Sequence, residues 1–150
     1  MARLENKKLN LFLANLAVLN VKVHTIHWNV VGPTFTNIHE LTDKMYNTLQ
    51  NQYDEFAEVM KMHNIVPMGS LAEYIDVTNL SETEGRDYPI YEALEILAAD
   101  LNKMIETAKD VREEMLKTDM FQFSNLLEDY IVCYEKYLWF VRAMKNENNE

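Results

Sequence analysis

Hydrophobic residues recur every three or four positions along three long stretches of the chain, 1–31, 34–66 and 90–150. This spacing places them on one face of an α-helix, the face that packs into a core. In the first stretch these positions are Leu9, Phe12, Leu16, Leu19, Val23, Ile26 and Val30. The pattern therefore predicts an all-α fold built from long helices.

Glycine and proline indicate where the helices end, because both interrupt helical structure. They form three groups along the chain: Gly32 with Pro33, Pro67 with Gly69, and Gly85 with Pro89. Residues 90–150 contain no further glycine or proline, yet a single helix of that length would be about 90 Å long. A break is therefore expected at Lys117–Asp119. The prediction is a bundle of four helices of about 25–28 residues, with a short helical element near Leu71 in the long connection between helices two and three.

Composition and charge narrow the class of protein. Three Gly and three Pro in 150 residues are too few for the turns of a β-sandwich, and the length favours one domain spanning 1–150. With 14 Lys+Arg against 24 Asp+Glu, the net charge is −10. This charge repels nucleic acids and anionic membranes and favours cations as partners.

The cellular compartment follows from cysteine use and hydropathy. The single cysteine, Cys133, lies in an apolar stretch and is interpreted as a core residue, so no intramolecular disulfide is expected. No uncharged run approaches the roughly 18 residues of a membrane span, and the basic, apolar start of the chain lacks a convincing cleavage site. A cytoplasmic protein without a membrane anchor is predicted.

All four histidines lie in the first two predicted helices. They are His24, His27, His39 and His63. Di-iron bundle proteins use Glu-x-x-His motifs, and no Glu in this chain is followed by His at that spacing. A conventional di-iron core within one subunit is therefore not expected.

A stripe of metal-binding residue types runs along the second predicted helix. At about 100° per residue, its members span only about 100° of the helix surface. They are His39, Asp43, Asp54 and Glu58. Asp43 and Asp54 would lie about 16 Å apart along the axis, too far for one metal site. The stripe therefore contains two half-sites.

The spacing of the stripe also suggests what completes each half. Its positions are symmetric about a point between Thr48 and Leu49, so an antiparallel second copy of the helix would bring His39 opposite Glu58. Asp43 would meet Asp54 in the same way, and His27, late in helix one, could add a nitrogen ligand. The same spacing is also compatible with an ordinary solvated helix face.

The residues around the stripe resemble a known family. The segment from His27-Trp28 to Phe35, then His39-Glu40 with Asp43, and then Asp54-Glu55-Phe56-Ala57-Glu58 resemble the Dps mini-ferritins, named as DNA-binding proteins from starved cells. The resemblance implies a ferritin-like four-helix bundle and a hollow shell of twelve subunits. It implies iron as cofactor and cargo, with Fe(II) oxidised by hydrogen peroxide or dioxygen.

The resemblance also assigns roles to the five residues. Asp54 and Glu58 of one subunit and His27 of a second would hold the first iron. His39 and Asp43 of the second subunit would hold the other iron more weakly, with Glu58 bridging. His24 and His63 receive no role. Trp28 would either absorb stray oxidising equivalents or simply pack at the helix end, and Asp119 is a candidate for a pore lining.

The chain departs from the family pattern at two positions. Val59 stands where the family often has Arg, and Asn64 stands near a common Gly pair, where it can adopt the left-handed helix cap.

Two other functions stay open. A DNA-condensing protein would have only Arg3, Lys7 and Lys8 in its N-terminal tail for phosphate binding, so direct DNA binding is expected to be weak. A helical assembly scaffold without a metal is the other alternative.

Overall fold

Four long helices and one short helix make up the fold in a computed structural model, which describes residues 4–145. They are α1 (Leu4–Asn29), α2 (Phe35–Met62), α3 (Leu71–Val77), α4 (Ile90–Met115) and α5 (Phe121–Lys145). The long helices have 26, 28, 26 and 25 residues. The predicted all-α bundle, its helix lengths and the extra helix in the connection are confirmed.

The core lies between the apolar faces of the long helices. Phe56 of α2 is at its centre, with ring centroids 5.0 Å from Phe12 of α1 and 5.3 Å from Phe123 of α5. The stretch Asn6–Asn29 is long and apolar enough to cross a membrane by length and composition, but 67% of its most apolar window is buried inside the fold. A central helix of a bundle has this same composition because it is surrounded by other helices.

A two-residue parallel pairing, which the sequence pattern does not predict, ties two helix ends together. Strand β1 (Val30–Val31) follows α1 and pairs with β2 (Tyr88–Pro89), which precedes α4. Next to it, Gly32 has φ 138°, and a Cβ there would lie 2.5 Å from Ile90 Cγ1. Glycine is thus required on both counts. Because α2 and α4 both begin at this corner, they run parallel.

The ends of α2 and α3 follow local rules. Asn64 adopts φ 61°, as expected, and the Ile65 N–H donates to the Met60 carbonyl at 2.9 Å, which closes α2 with a left-handed cap. Ser70 and Glu73 form a capping box at the start of α3. The turn between α4 and α5 falls at the expected Lys117–Asp119.

Buried polar contacts hold the long connection against the bundle. Asn15 of α1 is fully buried, and its side-chain oxygen accepts from the Thr78 hydroxyl at 2.5 Å. Its amide donates to Asn79 Oδ1 at 2.8 Å, and Asn79 in turn donates to Thr107 of α4 at 3.2 Å. Buried amides are costly unless paired, so this network fixes the path of the connection across α1 and α4.

Candidate metal centre

Two of the predicted ligands, His27 and His39, meet at the corner between α1 and α2. His27 lies in the last turn of α1 and is buried, while His39 lies early in α2 and is half-buried. Their rings stack with centroids 3.7 Å apart and planes 15° from parallel. The five-residue turn between the helices, with Gly32 at its tightest point, brings the two rings together.

Hydrogen bonds fix which ring nitrogens can bind a metal. His39 Nδ1 lies 2.8 Å from the His27 carbonyl oxygen, which only accepts, so this nitrogen carries the hydrogen. His27 Nδ1 lies 3.0 Å from the hydroxyl of Thr42, whose own hydrogen goes to the Ile38 carbonyl at 2.7 Å. His27 Nδ1 is therefore also a donor. When such a ring is neutral, its Nε2 has the lone pair, as in metal-binding histidines oriented by a second hydrogen bond.

The environment of His27 also keeps its ring neutral. Burial lowers the pKa of His27 below its ordinary value, and the adjacent His39 lowers it further. A neutral imidazole is the form that binds a metal ion. The shift therefore favours the form of His27 that can bind a metal ion.

Asp43 lies one turn beyond His39 on α2 and is held by Tyr46. The Tyr46 hydroxyl donates to Asp43 Oδ1 at 2.7 Å, and this hydrogen bond is the main reason that the pKa of Tyr46 is raised. Asp43 is close enough to His27 to act on its pKa in the opposite direction from burial. The structure thus brings His27, His39 and Asp43 to the same end of α2.

The other two predicted ligands lie elsewhere on the helix. Asp54 and Glu58 are exposed, about three and four turns beyond Asp43 along α2, and neither side chain makes a hydrogen bond or ion pair within residues 4–145. Across those same residues, no group of three or more His, Cys, Asp or Glu side chains lies close enough to hold a metal ion. One chain therefore presents two separate halves.

The two residues that flank the midpoint of the stripe in sequence do not face a second helix. The sequence places it between Thr48 and Leu49, but Leu49 is only 2% exposed and belongs to the core of its own bundle. Thr48 also faces inward, where its hydroxyl lies 2.8 Å from that of Tyr137 on α5. The exposed residues at the middle of the stripe are Asn47 and Gln50. A second helix would therefore approach over these two side chains.

An apolar patch that the sequence pattern did not predict lies beside the stripe. It consists of Val21 of α1 with Leu71 and Ile75 of α3, which are 59%, 74% and 45% exposed. A depression lined by Val21, Leu71, Asn51 and Asp54 connects the patch to the stripe. Contiguous exposed apolar surface of this kind is typical of protein interfaces. The four-residue spacing of Leu71 and Ile75, which places both on one face of a helix, is the sequence feature that could have predicted the patch.

The remaining histidines have structural surroundings. His24 stacks on Tyr46 with ring centroids 3.9 Å apart, and His63 closes α2, where its Nε2 lies 3.1 Å from Gln122 Oε1. Trp28 is 66% exposed beside His24. Cys133 is partly buried, and burial raises the pKa of its thiol.

Comparisons with known proteins place the chain in a family. The family described as a ferritin-like domain matches residues 6–148. DNA protection during starvation protein 2 of Bacillus anthracis is 30% identical over 93% of this chain and 94% of its own. The crystal structure of a Dps protein from Bacillus brevis superposes with a TM-score of 0.89 at 26% identity, covering 96% and 99% of the two chains.

A second structure adds a chemical description of a relative. The Dps protein of Vibrio cholerae superposes with a TM-score of 0.85 at 28% identity, covering 93% and 87% of the two chains. That protein is described as a member of a broad superfamily of ferritin-like diiron-carboxylate proteins. The chain therefore belongs to the ferritin-like family and, within it, to the Dps proteins.

Proposed function

We propose that the protein is an iron-storage mini-ferritin that oxidises Fe(II) at sites shared by two subunits and stores the Fe(III) mineral inside a hollow shell of twelve. One observation carries the proposal. The residues of the stripe are split between the two ends of one exposed helix face, in positions that an antiparallel copy of α2 would bring together. The family supports iron storage in general, and the placement of these side chains supports the specific site.

The donor set suits iron as substrate. Three carboxylates and two imidazoles, without a thiolate, favour Fe(II) over a structural zinc site. In the proposed site, Asp54 and Glu58 of one subunit and His27 of the second bind one Fe(II). His39 and Asp43 of the second subunit bind the other Fe(II), and Glu58 bridges the two.

The protein groups act by holding two ferrous ions side by side. Two Fe(II) ions each give one electron to hydrogen peroxide, which takes up two protons and yields two water molecules. This two-electron route avoids the hydroxyl radical that a single Fe(II) would release. Dioxygen is the alternative oxidant. The Nδ1 hydrogen bonds of His27 and His39 keep their Nε2 atoms available throughout.

Assembly and charge support the same function. The apolar patch adjoins the stripe, so one contact between copies would cover both. Twelve chains of net charge −10 carry a total of about −120, which attracts cations to the shell. Asp119 is exposed in the turn before α5 and remains a proposed pore residue.

The cellular location is inferred from the cysteine content. Because the chain has a single cysteine and so forms no intramolecular disulfide, we infer a cytoplasmic location.

The experiment that tests the function combines mass with iron content. After aerobic loading with Fe(II), light scattering is expected to give a particle of about twelve 17.7 kDa chains that retains far more iron than its site residues alone could bind. Peroxide is expected to accelerate the loss of Fe(II). A particle that assembles but oxidises Fe(II) no faster than buffer would identify the chain as a scaffold and contradict the proposal.

Protection of DNA is a second candidate function, because the curated relatives are named for it. We expect this protein not to retard plasmid DNA in a gel at neutral pH and about 150 mM salt. The subunit is strongly acidic and offers few Lys or Arg side chains to neutralise DNA phosphates. Lys8 is engaged by Asp110 at 2.9 Å, and Arg3 and the tail 146–150 lie outside the described residues. Retardation that persists after removal of residues 1–8 would show that another surface binds DNA.

A further inference from the structure

Tyr46 occupies a constrained position next to the histidine pair. Its ring stacks on His24 with centroids 3.9 Å apart, and it meets the edge of the His27 ring at 5.2 Å. Its backbone carbonyl accepts from the Asn20 amide at 3.3 Å. The side chain is thus held from both sides, and its hydroxyl is directed at one oxygen of Asp43, 2.7 Å away.

The platform behind Tyr46 is itself fixed to α1. His24 Nδ1 lies 2.8 Å from the Asn20 carbonyl, so this ring donates to its own helix and cannot turn freely. Asn20 therefore anchors the arrangement twice, through its backbone to His24 and through its side chain to Tyr46. The result is a rigid path from α1 to Asp43 that does not include any of the five proposed ligands except Asp43 itself.

We propose that Tyr46 is a positioning residue for metal binding, because its hydroxyl holds the Asp43 carboxylate in one orientation beside His27 and His39. The inference rests on the proposed function, since the orientation of Asp43 matters only if Asp43 is a ligand. The role is distinct from that of a ligand: the phenol occupies Oδ1 with a hydrogen bond and leaves Oδ2 for the cation.

The physical effect is preorganisation. An unheld carboxylate on a helix surface samples several rotamers, and binding a metal must then restrict it. Tyr46 makes that restriction part of the folded chain. Residues that orient metal ligands in this way typically change metal affinity by about 10–100-fold when removed. The effect is expected at the weaker iron position, to which Asp43 contributes.

Tyr46→Phe in the assembled protein tests the inference, because it removes only the hydroxyl. Co(II), which peroxide-free buffer does not oxidise, is titrated by calorimetry, and Fe(II) oxidation is measured over a range of Fe(II) concentrations. We expect one class of Co(II) sites to weaken about tenfold and KM for Fe(II) to rise by a similar factor, with a smaller change in kcat. Tyr137→Phe is the matched control, since it also removes one hydroxyl, which contacts Thr48 and Cys133 away from the stripe.

A double substitution separates positioning from a general structural effect. In an Asp43→Ala background, Tyr46→Phe is expected to change Co(II) affinity no further, because the carboxylate that it orients is gone. An equal loss in both backgrounds, or an equal loss in Tyr137→Phe, would overturn the inference. The inference would also be overturned if the parent binds Co(II) and oxidises Fe(II) and the Tyr46→Phe protein has the same Co(II) affinity and the same KM for Fe(II). A parent that does neither would overturn the proposed function as well.

Discussion

Replacement of Asp54 and Glu58 together by alanine is expected to reduce peroxide-dependent Fe(II) oxidation to near the uncatalysed rate, while the shell still assembles. Both side chains are exposed and unbonded in the chain between residues 4 and 145, so their loss does not disturb the bundle. They supply most of the negative charge at the proposed first iron and its bridge. Stopped-flow absorbance of Fe(III) formation, beside light scattering of the same sample, measures both properties.

The control for this variant removes the same number of carboxylates from another helix. Glu106 and Glu113 are exposed on α4, and their joint replacement by alanine is expected to leave the rate within about twofold. His63→Ala is a second control. His24 is unsuitable for that purpose because it contacts Tyr46. Controls as damaging as the double carboxylate variant would show that the wrong residues had been chosen.

A comparison with His39→Ala shows which of the two proposed iron positions contributes more to the rate of Fe(II) oxidation. In the proposed site, His39 belongs to the weaker iron position, where Asp43 and water would still bind Fe(II), so its loss is expected to cost less than the loss of Asp54 and Glu58. Equal losses would instead mean that both ions must bind before any electron transfer occurs.

Asn47→Arg is expected to break the contact between subunits and to abolish oxidation with it. Asn47 is exposed at the middle of the stripe, next to the inferred twofold axis, so two arginines would meet each other and displace the second helix. A charge left unpaired in an interface costs about 3–5 kcal/mol. Light scattering is expected to show a smaller species, and the Fe(II) oxidation rate is expected to fall more than tenfold.

An exposed asparagine on another helix provides the matched control for Asn47→Arg. Asn102→Arg on α4 makes the same chemical change away from the stripe. It is expected to keep the parent mass and rate. A stable monomer of Asn47→Arg that oxidised Fe(II) at the parent rate would show that one subunit is sufficient. Leu49→Arg is not a useful alternative, because Leu49 is buried in its own core and the variant would unfold the chain.

The helices could be predicted because their signals are local. Period and breakers locate α1, α2, α4 and α5, and Asn64 can adopt the left-handed conformation that ends a helix. The pairing of β1 with β2 could not be predicted, since two residues are too few for a periodic pattern. The buried ion pair of Lys22 with Asp100, 2.8 Å apart, could not be predicted either, because it joins helices far apart in sequence.

The candidate site divides along the same line. Helical spacing identified the stripe, but the hydrogen bond between His27 and Thr42 and the stacking of His24 on Tyr46 form only once α1 and α2 pack together. Helical spacing alone also shows that Leu49 does not face the second helix. At about 100° per residue, Leu49 lies roughly 280° from His39, on another side of the helix, so the same geometry that defined the stripe already excluded it.

The hydrogen bond from His39 to the His27 carbonyl affects how sequences of this kind should be interpreted. That carbonyl is in the last turn of α1, where no further helical N–H is available to bond it, so His39 also completes the end of a helix. A relative could keep His39 for this structural reason after losing its iron chemistry. Asp54 and Glu58 have no such second use within the described residues. Under the proposed function, the two carboxylates are therefore the better markers for distinguishing relatives that oxidise Fe(II) from relatives that do not.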